Sequence, residues 1–130
     1  MRLWHEALIP LLPRQQLLGQ HRECCALRGN GWGRPHSTVN YVFDHPYEWL
    51  FAYHDKVMQE MFRRGYKYDP AWQDPSYRGR SKPWKQADTK IVGEAMQSHS
   101  CIYPEHDKDY MDECLENLKS KGIIINGLTH

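Results

Sequence analysis

An arginine and a glutamate stand side by side at Arg22 and Glu23, within the stretch GQHRECCALRGNGWG of residues 19–33. Glu23 is the sole acid between residues 14 and 36. The arginines of that stretch are Arg14, Arg22, Arg28 and Arg34. A carboxylate among guanidinium groups can form a surface ion pair, as exposed opposite charges commonly do. It can equally act as a general acid or base beside an arginine that binds phosphate, and the residue types alone leave both interpretations open.

A second basic stretch lies between residues 77 and 90, where Asp88 is the one acid. Its motif RGRSKPWK interleaves basic residues with an aromatic one, which suits phosphate contact combined with base stacking. A solvated basic loop has the same composition, so the motif does not decide between the two. The basic residues of this stretch are Arg78, Arg80, Lys82, Lys85 and Lys90.

Histidine and cysteine could instead bind a metal, since the chain has eight histidines and four cysteines. None of the spacings CxxC, HxxxH or HExxH occurs, and such spacings are typical of zinc sites. We therefore predict no metal and no cofactor. A metal-dependent nuclease would be the alternative, and it would have to draw its ligands from His5, His21, Cys24 or His36.

Length and composition favour one domain over residues 1–130. The net charge of +1 neither favours nor excludes a nucleic-acid partner, so only the distribution of charge is informative. The longest apolar tract, Ile123–Ile125, is far too short to span a membrane, and the N-terminal residues lack the pattern of a signal peptide. These features predict a cytoplasmic protein with reduced cysteines and no membrane partner.

Three helices must position these side chains. Apolar periodicity places them at about Pro13–Arg28, Pro46–Arg64 and Pro104–Lys121. Gly29-Asn30-Gly31 is expected to end the first helix in a left-handed cap, and Thr38–Phe43 has the one strand-like composition. The predicted fold class is mainly α, a single compact domain of about three main helices with long ordered loops and little sheet.

The apolar stripe of the first helix decides which side of it faces solvent. Cys24 and Cys25 extend that stripe, so Arg22 and Glu23 are predicted to point away from the core. His21 and His54 lie on the apolar stripes of the first and second helices. Both are predicted to be core histidines with satisfied hydrogen bonds.

Three blocks of the chain resemble the pyrimidine-dimer DNA glycosylases of the phage endonuclease V type. They are RQQLLGQHRE at residues 14–23, YEWLFAYHDKVMQEMFRRGYKYD at 47–69 with VNYVF before it, and IYPEHDKDYMDECLENL at 102–118. The order of the blocks, their spacing and their distance from Met1 carry the resemblance. It implies a compact helical fold and an enzyme that removes a UV-damaged pyrimidine and then cleaves the strand at the abasic site.

The resemblance also implies roles for individual residues. The nucleophile would be the protein's own α-amine, which has a pKa of about 7.7–8.0 and is therefore partly neutral near pH 7. It would form a Schiff base at the sugar C1′, while Glu23 stabilises the cation and accepts the C2′ proton. Arg22 would bind a phosphate. Met1 would supply the amine, since an initiator methionine before a large basic residue is normally retained, and Arg2 would supply it if Met1 is removed.

The implied partner is double-stranded DNA with a damaged base or an abasic site, bound by a monomer. The residues expected to contact DNA are Arg22, Arg14, Arg28, Arg34, Trp32, His36, Arg78, Arg80, Lys82 and Lys85. Trp32 would stack or wedge from the loop NGWGRPH, in place of the aromatic and basic C-terminal tail that the family's archetype has and this chain lacks. An inactive DNA-binding module of the same fold is the alternative to an enzyme.

Overall fold

The structure is a computed structural model that describes residues 2–29, 39–79, 85–98 and 100–126. Those residues contain α1 (Arg14–Arg28), α2 (Asn40–Phe43), α3 (Tyr47–Arg63), α4 (Thr89–Met96) and α5 (Lys108–Ser120), and two short 3₁₀-helices at Glu6–Leu11 and Pro70–Gln73. The described ranges contain no strand, so the mainly α fold class is confirmed. No helix within them is long and apolar enough to cross a lipid bilayer.

Helix α3 lies at the centre of the packing, with α1, α2, α4 and the first 3₁₀-helix against it. Its buried residues recur at intervals of three and four, the period of one helical face. They include Leu50, Tyr53, His54, Val57, Met58 and Met61. α5 adds Met111, Cys114 and Leu118 to the same core. With its inner stripe packed on α3, α1 presents its remaining sides to solvent and to α5.

The strand-like composition of Thr38–Phe43 does not produce a strand in its described part, residues 39–43, because residues 40–43 form the helical turn α2; Thr38 lies outside the described residues. Val39 and Val42 are both fully buried in the core. Residues three apart lie on one side of a helical turn but on opposite faces of a strand, so only the turn buries both valines. Burial therefore overrides the strand preference of this short segment.

The ends of the later helices also differ from the sequence expectation. α5 begins at Lys108 rather than near Pro104, because the Asp107 side chain caps it by accepting from the Tyr110 N–H. α4 was not predicted. Its N-terminus is set by Asp88, whose carboxylate accepts from two backbone N–H groups of the first turn.

Gly29 ends α1, but not in the left-handed conformation that was expected. Its φ is −94°, whereas Gly65 and Gly122, after α3 and α5, have φ of 80° and 81°. A Cβ on Gly29 would lie 2.8 Å from the backbone oxygen of Arg78. Glycine is required there because the chain at residue 78 passes too close for a side chain.

Arg28 was expected to contact DNA, and its position contradicts that expectation, because it is fully buried. All five of its N–H donors are used inside the protein. The acceptors are the Tyr47 hydroxyl at 2.9 Å, His54 Nδ1 at 3.0 Å, and the backbone oxygens of Trp72 at 2.8 Å, Asp74 at 2.9 Å and Tyr77 at 3.0 Å. Arg28 thus has no donor left for a phosphate. It joins α1 to α3 and to the chain at residues 72–77.

Four buried or half-buried histidines are held in their neutral form. Burial, together with the neighbouring His5, lowers the pKa of His106 to about 3. Its two ring nitrogens are occupied by the Glu6 N–H at 3.1 Å and the Tyr41 hydroxyl at 2.7 Å. Burial likewise lowers the pKa values of His5, His21 and His54.

We therefore expect the free energy of unfolding to fall as the pH drops below about 6.5, the ordinary pKa of histidine. Above that pH the folded and unfolded chains bind equal numbers of protons at these rings. Below it these histidines are protonated in the unfolded chain but stay neutral in the folded one. Each such histidine lowers the free energy of unfolding by about 1.4 kcal/mol per pH unit. Urea unfolding between pH 8 and pH 4 measures the slope. His106→Gln should make it shallower by about one proton, and an unchanged slope in that variant would contradict the assignment.

Candidate functional site

A cleft of about 350 Å³ runs along one side of α1, and Glu23 lines it. The α1 residues at its wall recur every three or four positions and so share one side of the helix. They are Gln16, Gly19, Gln20 and Glu23. The opposite side is formed by Asn117 and Lys121 at the end of α5, and Arg2 and Trp4 of the N-terminal segment complete it.

The Glu23 carboxylate is available for chemistry. Its Oε2 is shielded from solvent and has no hydrogen-bond partner among the described residues. Buried polar atoms are almost always paired, so an unpaired one requires an explanation. An oxygen that faces a cleft with its lone pairs unoccupied can accept a proton from a bound molecule. Glu23 therefore meets the geometric requirement for a general base.

Asn117 carries a second unpaired acceptor on the opposite side of the same cleft. Its Oδ1 is also shielded from solvent and lacks a partner within the described ranges. Leaving such an atom unpaired costs roughly 1–3 kcal/mol, which a ligand with an N–H or O–H group would recover. Each of these two acceptors can take a hydrogen bond from a water molecule or from a donor group of a bound molecule.

Arg22 and Glu23 do not pair with each other. The ion pairs among the described residues involve other side chains, so the surface ion pair that the sequence allowed does not form. Consecutive helix residues point about 100° apart, which turns Glu23 into the cleft and leaves Arg22 exposed on the outer side of α1. An exposed guanidinium beside a cleft can bind a phosphate of a polymer whose reacting sugar enters that cleft.

Two cationic side chains accompany Glu23 in the cleft. Arg2 is mostly buried and lies 3.5 Å from Glu113, and the Lys121 Nζ lies 5.3 Å from the centroid of the Trp4 ring. Because Glu113 offsets the charge of Arg2, the cleft presents both signs of charge to a ligand, with Glu23 on α1 and Lys121 at the end of α5. Asn117 and Lys121 were not predicted as site residues, although their i, i+4 spacing on the predicted third helix places them on one face.

Other residues predicted to contact DNA lie away from the cleft. Arg14 is exposed, 5.3 Å from the Tyr66 ring, and Lys85 is exposed. Arg78 is half-buried with its guanidinium over the Tyr47 ring, and burial lowers its pKa. Six predicted site residues lie outside the described residues: Met1, Trp32, Arg34, His36, Arg80 and Lys82.

Of the ligands that a metal-dependent nuclease would need, His36 lies outside the described residues, and His5, His21 and Cys24 do not together form a group with converging ligand atoms. Cys24 is fully buried in the core, and the His5 Nδ1 accepts from the Ala7 N–H at 3.1 Å. In the part of the chain that is described, the group with suitable ligand atoms is a different one: His21, Cys25 and His54. His21 and Cys25 are four residues apart, the spacing of an HxxxH pair, but the second residue is a cysteine. The HxxxH motif therefore did not identify them.

These three side chains form a directed hydrogen-bond chain instead. Arg28 has only donors, so the His54 Nδ1 accepts from it and the His54 Nε2 carries the proton. That Nε2 donates to the His21 Nδ1 at 2.8 Å, which leaves the His21 Nε2–H to face the Cys25 Sγ at 3.7 Å. A histidine that binds a metal normally donates its second N–H to an acceptor, and here the second nitrogen of His54 accepts from a cation. This arrangement opposes a metal at His54.

The Cys25 thiol at the end of this chain is not an activated nucleophile. Burial raises its pKa to about 11, with the nearby Arg28 acting in the opposite direction. Thiolates, rather than thiols, attack and bind metals, and this thiol stays protonated at neutral pH. The chemistry of the molecule is therefore better sought at Glu23.

A family model described as pyrimidine dimer DNA glycosylase matches residues 1–74, which is more than half of the chain. The matched range contains Arg2, Arg22 and Glu23, together with α1, α2 and α3. Asn117 and Lys121, on the other side of the cleft, lie beyond it. No curated protein and no solved structure gives a significant match to the chain.

Proposed function

Because the chain belongs to the pyrimidine dimer DNA glycosylase family, we propose that it removes a damaged pyrimidine from UV-irradiated DNA and then cleaves the strand at the abasic site. Glu23 is the acid/base and an α-amine is the nucleophile. The observation that carries the proposal is the unpaired, shielded Oε2 of Glu23 in a cleft to which residue 2 of the chain also contributes.

The reaction begins when the neutral α-amine of Met1, or of Arg2 if Met1 is removed, attacks the sugar C1′. A C1′–N bond forms to the amine, the glycosidic C1′–N bond breaks, and one proton of the amine passes to the departing base. The C1′–O4′ bond then breaks as O4′ takes a proton from solvent, and the amine nitrogen becomes that of a protonated Schiff base. Glu23 then takes the C2′ proton, and the C3′–O bond breaks to release the 3′ phosphate as the leaving group.

Duplex DNA would lie on the exposed side of α1. Arg22 is exposed there, about 100° around the helix from Glu23, whereas Arg14 is exposed on the side of α1 opposite to the cleft. A phosphate contact of Arg22 would hold a strand in register without reading its sequence. A lesion inside a duplex must leave the stack before a side chain can reach its sugar, so we propose that the protein distorts the duplex as a monomer.

Borohydride trapping tests this proposal. We expect the protein, incubated with UV-irradiated or abasic-site duplex DNA and sodium borohydride, to form a covalent complex, because borohydride reduces the Schiff base to a stable amine. Undamaged duplex is the control and should give no complex. Mass spectrometry of the trapped peptide identifies the amine, and with it the state of Met1.

Two other outcomes would replace the proposal. Binding to damaged duplex without any trapped complex would indicate the inactive DNA-binding module. Cleavage without trapping that a chelator abolishes would indicate a metal-dependent nuclease. Trapping that persists in the chelator supports the amine mechanism.

A further inference from the structure

Gln20 is a buried polar residue that joins α1 to the N-terminal segment. It is 1% exposed, and both ends of its amide are used. Its Oε1 accepts from the Trp4 N–H at 2.7 Å, and its Nε2 donates to the Arg2 backbone oxygen at 3.0 Å. One side chain thus forms hydrogen bonds with the backbone on both sides of Leu3, as a neighbouring strand would. This pair of hydrogen bonds is called the Gln20 grip below.

Other helices hold the same three residues. The Tyr53 hydroxyl of α3 lies 2.6 Å from the Trp4 oxygen and 2.9 Å from the Gln20 Oε1. The Tyr110 hydroxyl of α5 donates to the Leu3 oxygen. The segment of residues 2–4 is therefore fixed by three helices, and Gln20 holds the backbone of its first residue.

Gln20 and Glu23 are three residues apart on one helix, so they line the same cleft from adjacent turns. A consecutive Cα lies only 3.8 Å further along the chain. An amine at residue 1 or 2 is therefore within one or two peptide units of the Gln20 grip. Because the grip and the carboxylate belong to one rigid element, α1 fixes the backbone of Arg2 relative to Glu23.

We propose that Gln20 is the positioning residue that holds the N-terminal α-amine beside Glu23. The inference rests on the proposed function. Positioning of a nucleophile is worth a large share of a reaction barrier, and a displacement of about 1 Å can cost about 100-fold in rate. Gln20 acts through the backbone of Arg2 and does not touch the substrate.

Two substitutions separate this role from a general role in folding. Gln20→Met fills a similar volume but can neither accept from Trp4 nor donate to Arg2. Gln20→Glu keeps an acceptor for Trp4 but, when ionised, sets an oxygen against the Arg2 oxygen. When protonated, the glutamic acid regains a donor for Arg2, so its effect should depend on pH. Gln97, exposed at the end of α4 and outside the cleft, supplies the matched control Gln97→Glu.

The measurements are the single-turnover rate of borohydride trapping on abasic-site duplex and the affinity for the same duplex, across pH. We expect Gln20→Met to trap about 10–100-fold more slowly with little change in affinity. Gln20→Glu should be as slow at pH 8 and approach the wild-type rate as the pH falls. Gln97→Glu should trap at the wild-type rate at every pH.

The outcomes distinguish this inference from the proposed function. A wild-type protein that traps nothing defeats the proposed function, and the inference with it. A wild-type protein that traps while both folded Gln20 variants trap equally fast defeats the inference alone. Circular dichroism checks folding. If both variants unfold, Gln20→Asn keeps the amide but shortens its reach by one methylene, and full-rate trapping by that variant overturns the inference.

Discussion

Replacing Glu23 with glutamine is expected to lower the rate of strand cleavage on abasic-site duplex by about 10²–10⁴-fold, the usual contribution of a general acid or base. The amide has nearly the shape of the carboxylate but cannot take the C2′ proton. Because Glu23 forms no ion pair among the described residues, its replacement breaks no structural contact there. Stability and DNA affinity should therefore stay close to those of the wild type.

Glu116→Gln is the matched control. Glu116 is an exposed carboxylate on α5 that forms no ion pair among the described residues and does not line the cleft. Its loss should leave the cleavage rate within a few-fold of the wild type. Single-turnover assays by gel electrophoresis measure both variants. Cleavage by Glu23→Gln at the rate of the Glu116 control would remove Glu23 from the mechanism.

Replacing Arg28 with alanine is expected to destabilise the fold severely. The substitution leaves the Tyr47 hydroxyl, His54 and three backbone oxygens without the donor that they share. It also removes a guanidinium packed 4.9 Å from the Phe51 ring centroid and 5.0 Å from that of Trp72. Breaking buried, charge-assisted networks of this kind costs about 3–5 kcal/mol.

Urea unfolding of Arg28→Ala measures this loss. Arg22→Ala is the control, since it removes the same side chain from an exposed position on the same helix and should change the free energy of unfolding by less than about 0.5 kcal/mol. Arg28→Lys restores the charge but not the planar fork, so it should recover only part of the stability. Equal stability of the two alanine variants would refute the structural role given to Arg28.

The long amphipathic helices could be predicted from the sequence because a helix with one buried face needs apolar residues every three or four positions. His54 is an example, since it was placed on the apolar stripe of the second helix and is fully buried on α3. Thr38–Phe43 could not be read in this way. It is too short for periodicity to separate a strand from a helical turn, and the burial of Val39 and Val42 decided the outcome.

Single side chains were harder to predict than elements. Glu23 stood out because it is the sole acid in a basic stretch, and the cleft around it is consistent with that choice. Arg28 looked identical in sequence to Arg22, yet it is buried, since its acceptors come from residues 47–77 and only tertiary structure brings them to it. Asn117 faces Glu23 for the same reason, from nearly a hundred positions away along the chain.

In the proposed mechanism, the grip on residues 2–4 makes this segment a spacer as well as the carrier of the amine. Gln20 holds it from α1, while Tyr110 and Glu113 hold it from α5, so the two walls of the cleft are tied together through this segment. An insertion or deletion there would alter the reach of the amine and the width of the cleft at once. Because one segment sets both the reach of the amine and the width of the cleft, we expect its length to vary far less among related proteins than the lengths of the surface loops.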